Sequence, residues 1–166
     1  MKEETIMLTE QMVKKLNPNN DTRIYIAKEV TFDYSTSAFR IDIVMFKPKN
    51  NTAGGIEQGE FYCYEVKSSV EDFHSKHGHN FIGDRNYYVM SREVYEKVKH
   101  LIPWNVGVYI FNDKTMECIK KAHVVIRTRP CSEILLMMFR SANRENIKHS
   151  KVISDECNSE RTVEII

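Results

Sequence analysis

Two extended, apolar runs in this chain carry charges in their interiors. Arg40-Ile41-Asp42-Ile43-Val44 places an aspartate among aliphatic residues, and 23 residues later Tyr64-Glu65-Val66-Lys67 places a glutamate and a lysine among aromatic and aliphatic ones. Both runs read as β-strands. A charge inside a strand this apolar is costly unless it is paired or binds a metal. The fold must therefore bring these strands into one sheet and give their charges something to face. Along a strand, residues two apart share a face, so Glu65 and Lys67 project together while Val66 turns away. If the two strands are neighbours, Asp42 lies opposite Glu65.

The rest of the chain supplies further elements. Apolar residues at helical spacing (Ile6, Leu8, Met12, Val13, Leu16) predict a helix over 5–16, with Glu10 at the edge of the stripe. Asn17-Pro18-Asn19-Asn20-Asp21 breaks it. Strands are expected over 23–32, 38–46, 60–67, 85–90 and 106–111, with shorter strand-like pieces from Met116 to Ile126. Ser35-Thr36-Ser37 reads as a hairpin turn, and 47–59 as a loop. A weak helical pattern follows Ser68, Ser91 caps a second helix, and a last one spans about 132–146. Three strands in a meander, followed by alternating helices and strands, predict an α/β fold. Its mixed sheet of about five strands carries helices on its faces. At 166 residues the chain suggests one domain, taken as 1–147, followed by a polar tail over 148–166 that is expected to fray.

With 24 Lys and Arg against 23 Asp and Glu, a strongly basic surface is excluded, so any nucleic-acid contact needs a local cluster. No apolar run is long enough to span a bilayer. Cys63, Cys118, Cys131 and Cys157 form no Cys-x-x-Cys pair and no secretory segment precedes them, which points to a reducing, cytoplasmic setting. No Gly-x-x-x-x-Gly-Lys loop or nucleophile elbow is present, which argues against NTP hydrolysis and serine-hydrolase chemistry.

Two carboxylates a few ångströms apart repel unless a cation sits between them. Mg²⁺ or Mn²⁺ suits an Asp42–Glu65 pair, with the Val66 carbonyl as a further ligand and Lys67 beside the attacking water. Glu10, or else Glu29, is the candidate third acid. The alternative for the same residues is an ordinary cross-strand ion pair. His74, His77 and His79 read either as a metal cluster or as a polar loop. Arg127, Arg129, Arg140, Arg144 and Lys148 read either as a phosphate-contacting patch or as a solvated face, and Lys76 as a backbone contact. Ser68 and Ser69 are placed to cap the helix that follows, beside any bound phosphate.

Arg40-Ile41-Asp42 and Tyr64-Glu65-Val66-Lys67-Ser68-Ser69-Val70-Glu71-Asp72-Phe73, with Glu29-Val30 before and Asp84-Arg85 after, resemble the PD-(D/E)XK nuclease superfamily. Within it the likeness is to the MmcB-like DNA-repair proteins and related short phage proteins, over about residues 22–146. The resemblance implies a restriction-endonuclease-like core and a metal-dependent nuclease acting on DNA in repair or a phage-related process, with Asp42, Glu65 and Lys67 in the site. The same superfamily implies an alternative, an inactive module that binds nucleic acid or a protein partner. The sequence leaves the oligomeric state open, a homodimer included. The segment between Asp72 and Asp84 departs from the bacterial repair pattern, so no substrate preference carries over.

Overall fold

The computed structural model describes the backbone of residues 3–34 and 36–163 and side chains as far as residue 152. Ser35, part of the expected hairpin turn, lies outside the described residues, as does the side chain of Cys157. Cys63, Cys118 and Cys131 are free thiols.

The chain is α/β. Its elements run α1 (Glu3–Leu16), β1 (Tyr25–Phe32), β2 (Phe39–Lys47), α2 (Ala53–Glu57), β3 (Glu60–Lys67), α3 (Val70–His74), β4 (Arg85–Ser91), α4 (Arg92–Val98) with a 3₁₀ turn, β5 (Gly107–Phe111), β6 (Met116–Lys120) and α5 (Cys131–Val163). The strands form one mixed sheet in sequence order. The β1–β2, β2–β3 and β5–β6 pairs are antiparallel, and β3–β4 and β4–β5 are parallel. The sheet thus has six strands rather than about five. Cys118, Glu117 and Ile119 of β6 are exposed, because this strand forms an edge of the sheet and covers little core.

Helices cover both faces of the sheet. Leu8 and Met12 of α1 pack on Ile43, Met45, Tyr64 and Val66. On the opposite face Cys131, Ile134 and Met138 of α5 pack on Val30, Phe32, Ile41, Val44, Phe61 and Cys63. A third cluster joins Phe73 of α3 and Val94 and Val98 of α4 to Tyr88 and Met90. Burying side chains of this size stabilises by about 1.5–3 kcal/mol each before entropy is charged.

One place in the sheet breaks the two-residue alternation. Ala27 and Val30 of β1 both face α5, as do their partners Val44 and Ile41. The inward residues are three apart there, so each strand carries one residue more between them than strict alternation needs. Glu29 is that residue on β1, with a left-handed φ of 51°. On β2, the register sets Asp42 opposite Glu29. Side chains of α5 hold this point from outside: Ser141 Oγ donates to the Lys28 carbonyl, and Arg144 donates to the Glu29 carbonyl at 2.7 Å.

The helix expected over 132–146 continues to Val163, so the predicted tail begins inside a helix. Apolar residues thin out after Ala142, and Ile147 and Val152 are exposed. No helix among the described residues is long and apolar enough to cross a membrane.

Candidate active site

Glu65 lies one position beyond the last β2–β3 ladder pair, Ile43–Tyr64, and that register puts Asp42 across from it. The strands stop exchanging main-chain bonds here, and a side chain takes over: Asp42 Oδ2 accepts from the Val66 N–H at 2.8 Å. Glu65 and Lys67 share a face with Phe61 and Cys63, while Tyr64 and Val66 turn toward α1. Asp42, Glu65, Val66 and Lys67 line one cleft of ≈ 1010 Å³, bounded by Arg40 on one side and by Ser68, Asp72 and the 76–80 loop on another.

The charges at the floor of this cleft are deeply buried. Glu65 and Lys67 are each 1% exposed. Among the described residues no hydrogen-bond partner reaches either carboxylate oxygen of Glu65. The Asn80 backbone favours its charged form without meeting that bond geometry. Burial, reinforced by the Asp42 carboxyl, pushes the Glu65 carboxyl up to about 9. Burial also raises Asp42, against the pull of the Val66 N–H. Two adjacent carboxyls held above their ordinary range, one with both oxygens unsatisfied, form a site that lacks positive charge. Lys67 does not supply enough of it. Its ammonium donates to the His77 carbonyl at 2.6 Å and the Asp72 carbonyl at 3.3 Å, and burial lowers its pKa.

Residues after β3 hold the loop over this pair. Ser69 caps α3 by accepting from the Asp72 N–H, while Asp72 Oδ2 accepts from the Ser68 N–H at 3.0 Å and lies 3.3 Å from its hydroxyl. His79 bridges the loop to the sheet, 2.6 Å from the Tyr88 hydroxyl and 3.0 Å from the Phe73 carbonyl. Gly78 adopts φ +69°, and a Cβ there would sit 2.8 Å from Lys67 Nζ and 3.2 Å from Glu65 Oε2. Gly78→Ala is expected to lose about 1–2 kcal/mol from the left-handed backbone alone, plus the cost of displacing Lys67, in urea unfolding.

Several expected site residues lie elsewhere. Glu10 is exposed on α1 and lines a neighbouring hollow of ≈ 260 Å³ with Glu29 and Asp42, outside the main cleft. Glu29 pairs with Arg40 at 3.6 Å. Among the described residues no group of three or more His, Cys, Asp and Glu side chains is placed to hold a metal, so the histidines form no metal cluster and no third acid joins Asp42 and Glu65. The arginines expected as a phosphate-contacting patch each have a partner within the fold. Arg127 donates to Asp84 at 2.8 Å and to the Gly59 and Glu57 carbonyls. Arg129 is bound by Asp33 and Glu133 and lies over Phe32 and Phe39. Arg144 is spent on the Glu29 carbonyl, and Arg140 lies over the Tyr34 ring. Asp84 and Arg85 serve the fold: Asp84 accepts from the Phe61 N–H, and Arg85 pairs with Glu60. Lys76 does stand on the cleft rim. The sequence reading missed Gly78 and His79 as supports of the site; the glycine beside three histidines carried no periodic signal.

No family model matches this chain, and no curated protein matches it. Among solved structures it is similar to the SPO1766 protein of unknown function from Silicibacter pomeroyi, with 17% identity and a TM-score of 0.59 over 89% of this chain and 90% of that one. The likeness is one of fold.

Proposed function

We propose that this chain is a metal-dependent phosphodiesterase of the PD-(D/E)XK type acting on DNA, in repair or a phage-related process. One observation carries the reading: a buried glutamate with both oxygens unsatisfied, set opposite Asp42 and beside Lys67 at a cleft floor. Such a pair fits a divalent cation, since oxygen donors short of positive charge are what Mg²⁺ or Mn²⁺ takes. Asp42 and Glu65 would hold it, with the Val66 carbonyl beside them. A bound cation supplies a Lewis acid and a water of lowered pKa. Lys67, fixed by two carbonyls, steadies the negative charge that develops on the attacked phosphate. Glu65 and Lys67 are buried at the cleft floor, where charges interact more strongly than in open water.

A second reading has its own support. The missing third acid and the prior engagement of Lys67 by the loop favour a non-catalytic module that binds nucleic acid or a protein partner. Calorimetry with Mn²⁺ separates the two. Binding to the wild type that is lost in Asp42→Asn, together with Mn²⁺-dependent cleavage of single-stranded, duplex or branched DNA, is the expected result. A wild type that binds no Mn²⁺ and cuts none of these substrates leaves the second reading standing.

A further inference from the structure

We infer that Arg40 is the contact for the phosphate next to the one attacked, so that the substrate strand runs along β2 from Asp42 toward the β1–β2 hairpin. The inference rests on the proposed function and adds a residue and a direction to it. The cleft that holds Asp42, Glu65 and Lys67 extends past Arg40 to Thr31, Ala38 and Phe39 at the hairpin end. Arg40 is two residues from Asp42 on the same strand, about 7 Å along it. That is the order of the spacing between neighbouring phosphates on an extended polynucleotide chain.

Arg40 is held more loosely than Arg127, Arg129 or Arg144. Its side chain is 53% exposed and its ion pair with Glu29 is 3.6 Å long, beyond hydrogen-bond range. Arg127 and Arg129, by contrast, are gripped at 2.8 Å and 2.6 Å. A guanidinium lining this cleft, held among the described residues by one weak, part-exposed ion pair, exchanges that partner for a phosphate at little cost. The chain's near-neutral balance of charge gives no general attraction to a polyanion, so a single well-placed cation carries more of the binding.

Fluorescence anisotropy with short fluorescein-labelled single-stranded and duplex DNA, in Ca²⁺ to prevent turnover, tests the inference. Arg40→Ala is expected to weaken binding about tenfold and to reduce the slope of log K against log salt by about one. Arg40→Lys should restore the slope. Glu29→Gln, which removes the competing carboxylate, should tighten binding. A purely structural Arg40–Glu29 pair gives the opposite pattern: both variants lose stability alike and the salt slope stays put. That pattern overturns the inference, as does a slope that falls in Lys76→Ala but not in Arg40→Ala. If the wild type cleaves DNA while Arg40→Ala leaves slope and KM unchanged, only the inference fails; if the wild type neither binds nor cleaves DNA, it falls together with the proposed function.

Discussion

Lys67→Met should reduce single-turnover cleavage in Mn²⁺ by about 10²–10³-fold, the range seen when one donor aimed at developing negative charge is removed. Methionine keeps most of the buried stem, so the fold is expected to survive. The loss of stability should be about 1–3 kcal/mol, because the His77 and Asp72 carbonyls lose a charged donor. Lys67 also favours the charged forms of Asp42 and Glu65, so its removal raises both carboxyls further and weakens Mn²⁺ binding. Rates and urea unfolding measured on one preparation divide the two roles. A rate within threefold of wild type, with the stability loss present, would make Lys67 an anchor for the 76–80 loop and remove it from the chemistry.

In the absence of divalent metal, the protein should become less stable as pH rises from about 5 to about 9. The sign follows from Glu65. Burial lifts its folded pKa from 4.5 to about 9, so across that window the folded chain holds a proton that the unfolded chain has released. Stability from this group is complete below about 4.5 and is lost progressively toward about 9. Each pH unit inside the window is worth about 1.4 kcal/mol for one fully shifted proton, so the whole loss amounts to several kcal/mol. Asp42, also raised, adds in the same direction. Glu65→Gln should flatten the profile. Mn²⁺ should reverse it, since a metal ligand must be deprotonated and binding to the folded form adds stability most where the proton leaves easily. Urea midpoints from pH 5 to 9, with Mn²⁺ and with EDTA, provide the measurement. A flat profile that ignores Mn²⁺ would show that the Glu65 carboxyl is neither desolvated nor a ligand.

The strands and the pairing at the site's centre were legible because the signals are local. Tyr64-Glu65-Val66-Lys67 carries its alternation in four residues, and 60–67 is the strand observed. The expected opposition of Asp42 and Glu65 follows from adjacent antiparallel strands, and the register agrees. The α2 turn was read as loop because five residues with two glycines carry no period. The third acid was sought on α1 because Glu10 borders its apolar stripe. Helix periodicity fixes which face a residue occupies but not how far along the sheet the helix sits, and α1 sits so that Glu10 borders the smaller hollow. The arginine cluster misled for a similar reason: sequence shows the cations, while the carbonyls and carboxylates that claim Arg127 and Arg144 come from residues 43 to 115 positions away.

The left-handed turn of Glu29 also bears on how these molecules meet one another. A long flat border strand invites a neighbouring chain to add its own strand, the first step toward fibrous association. Here the outer strand is kinked at its middle, and the carbonyls of Lys28 and Glu29 are already occupied by Ser141 and Arg144. The opposite border ends in Lys120 and Lys121, whose charges discourage the same approach. The kink that leaves Asp42 uncommitted to the core therefore also guards the sheet against self-templating, and straightening it would endanger solubility as well as the cleft.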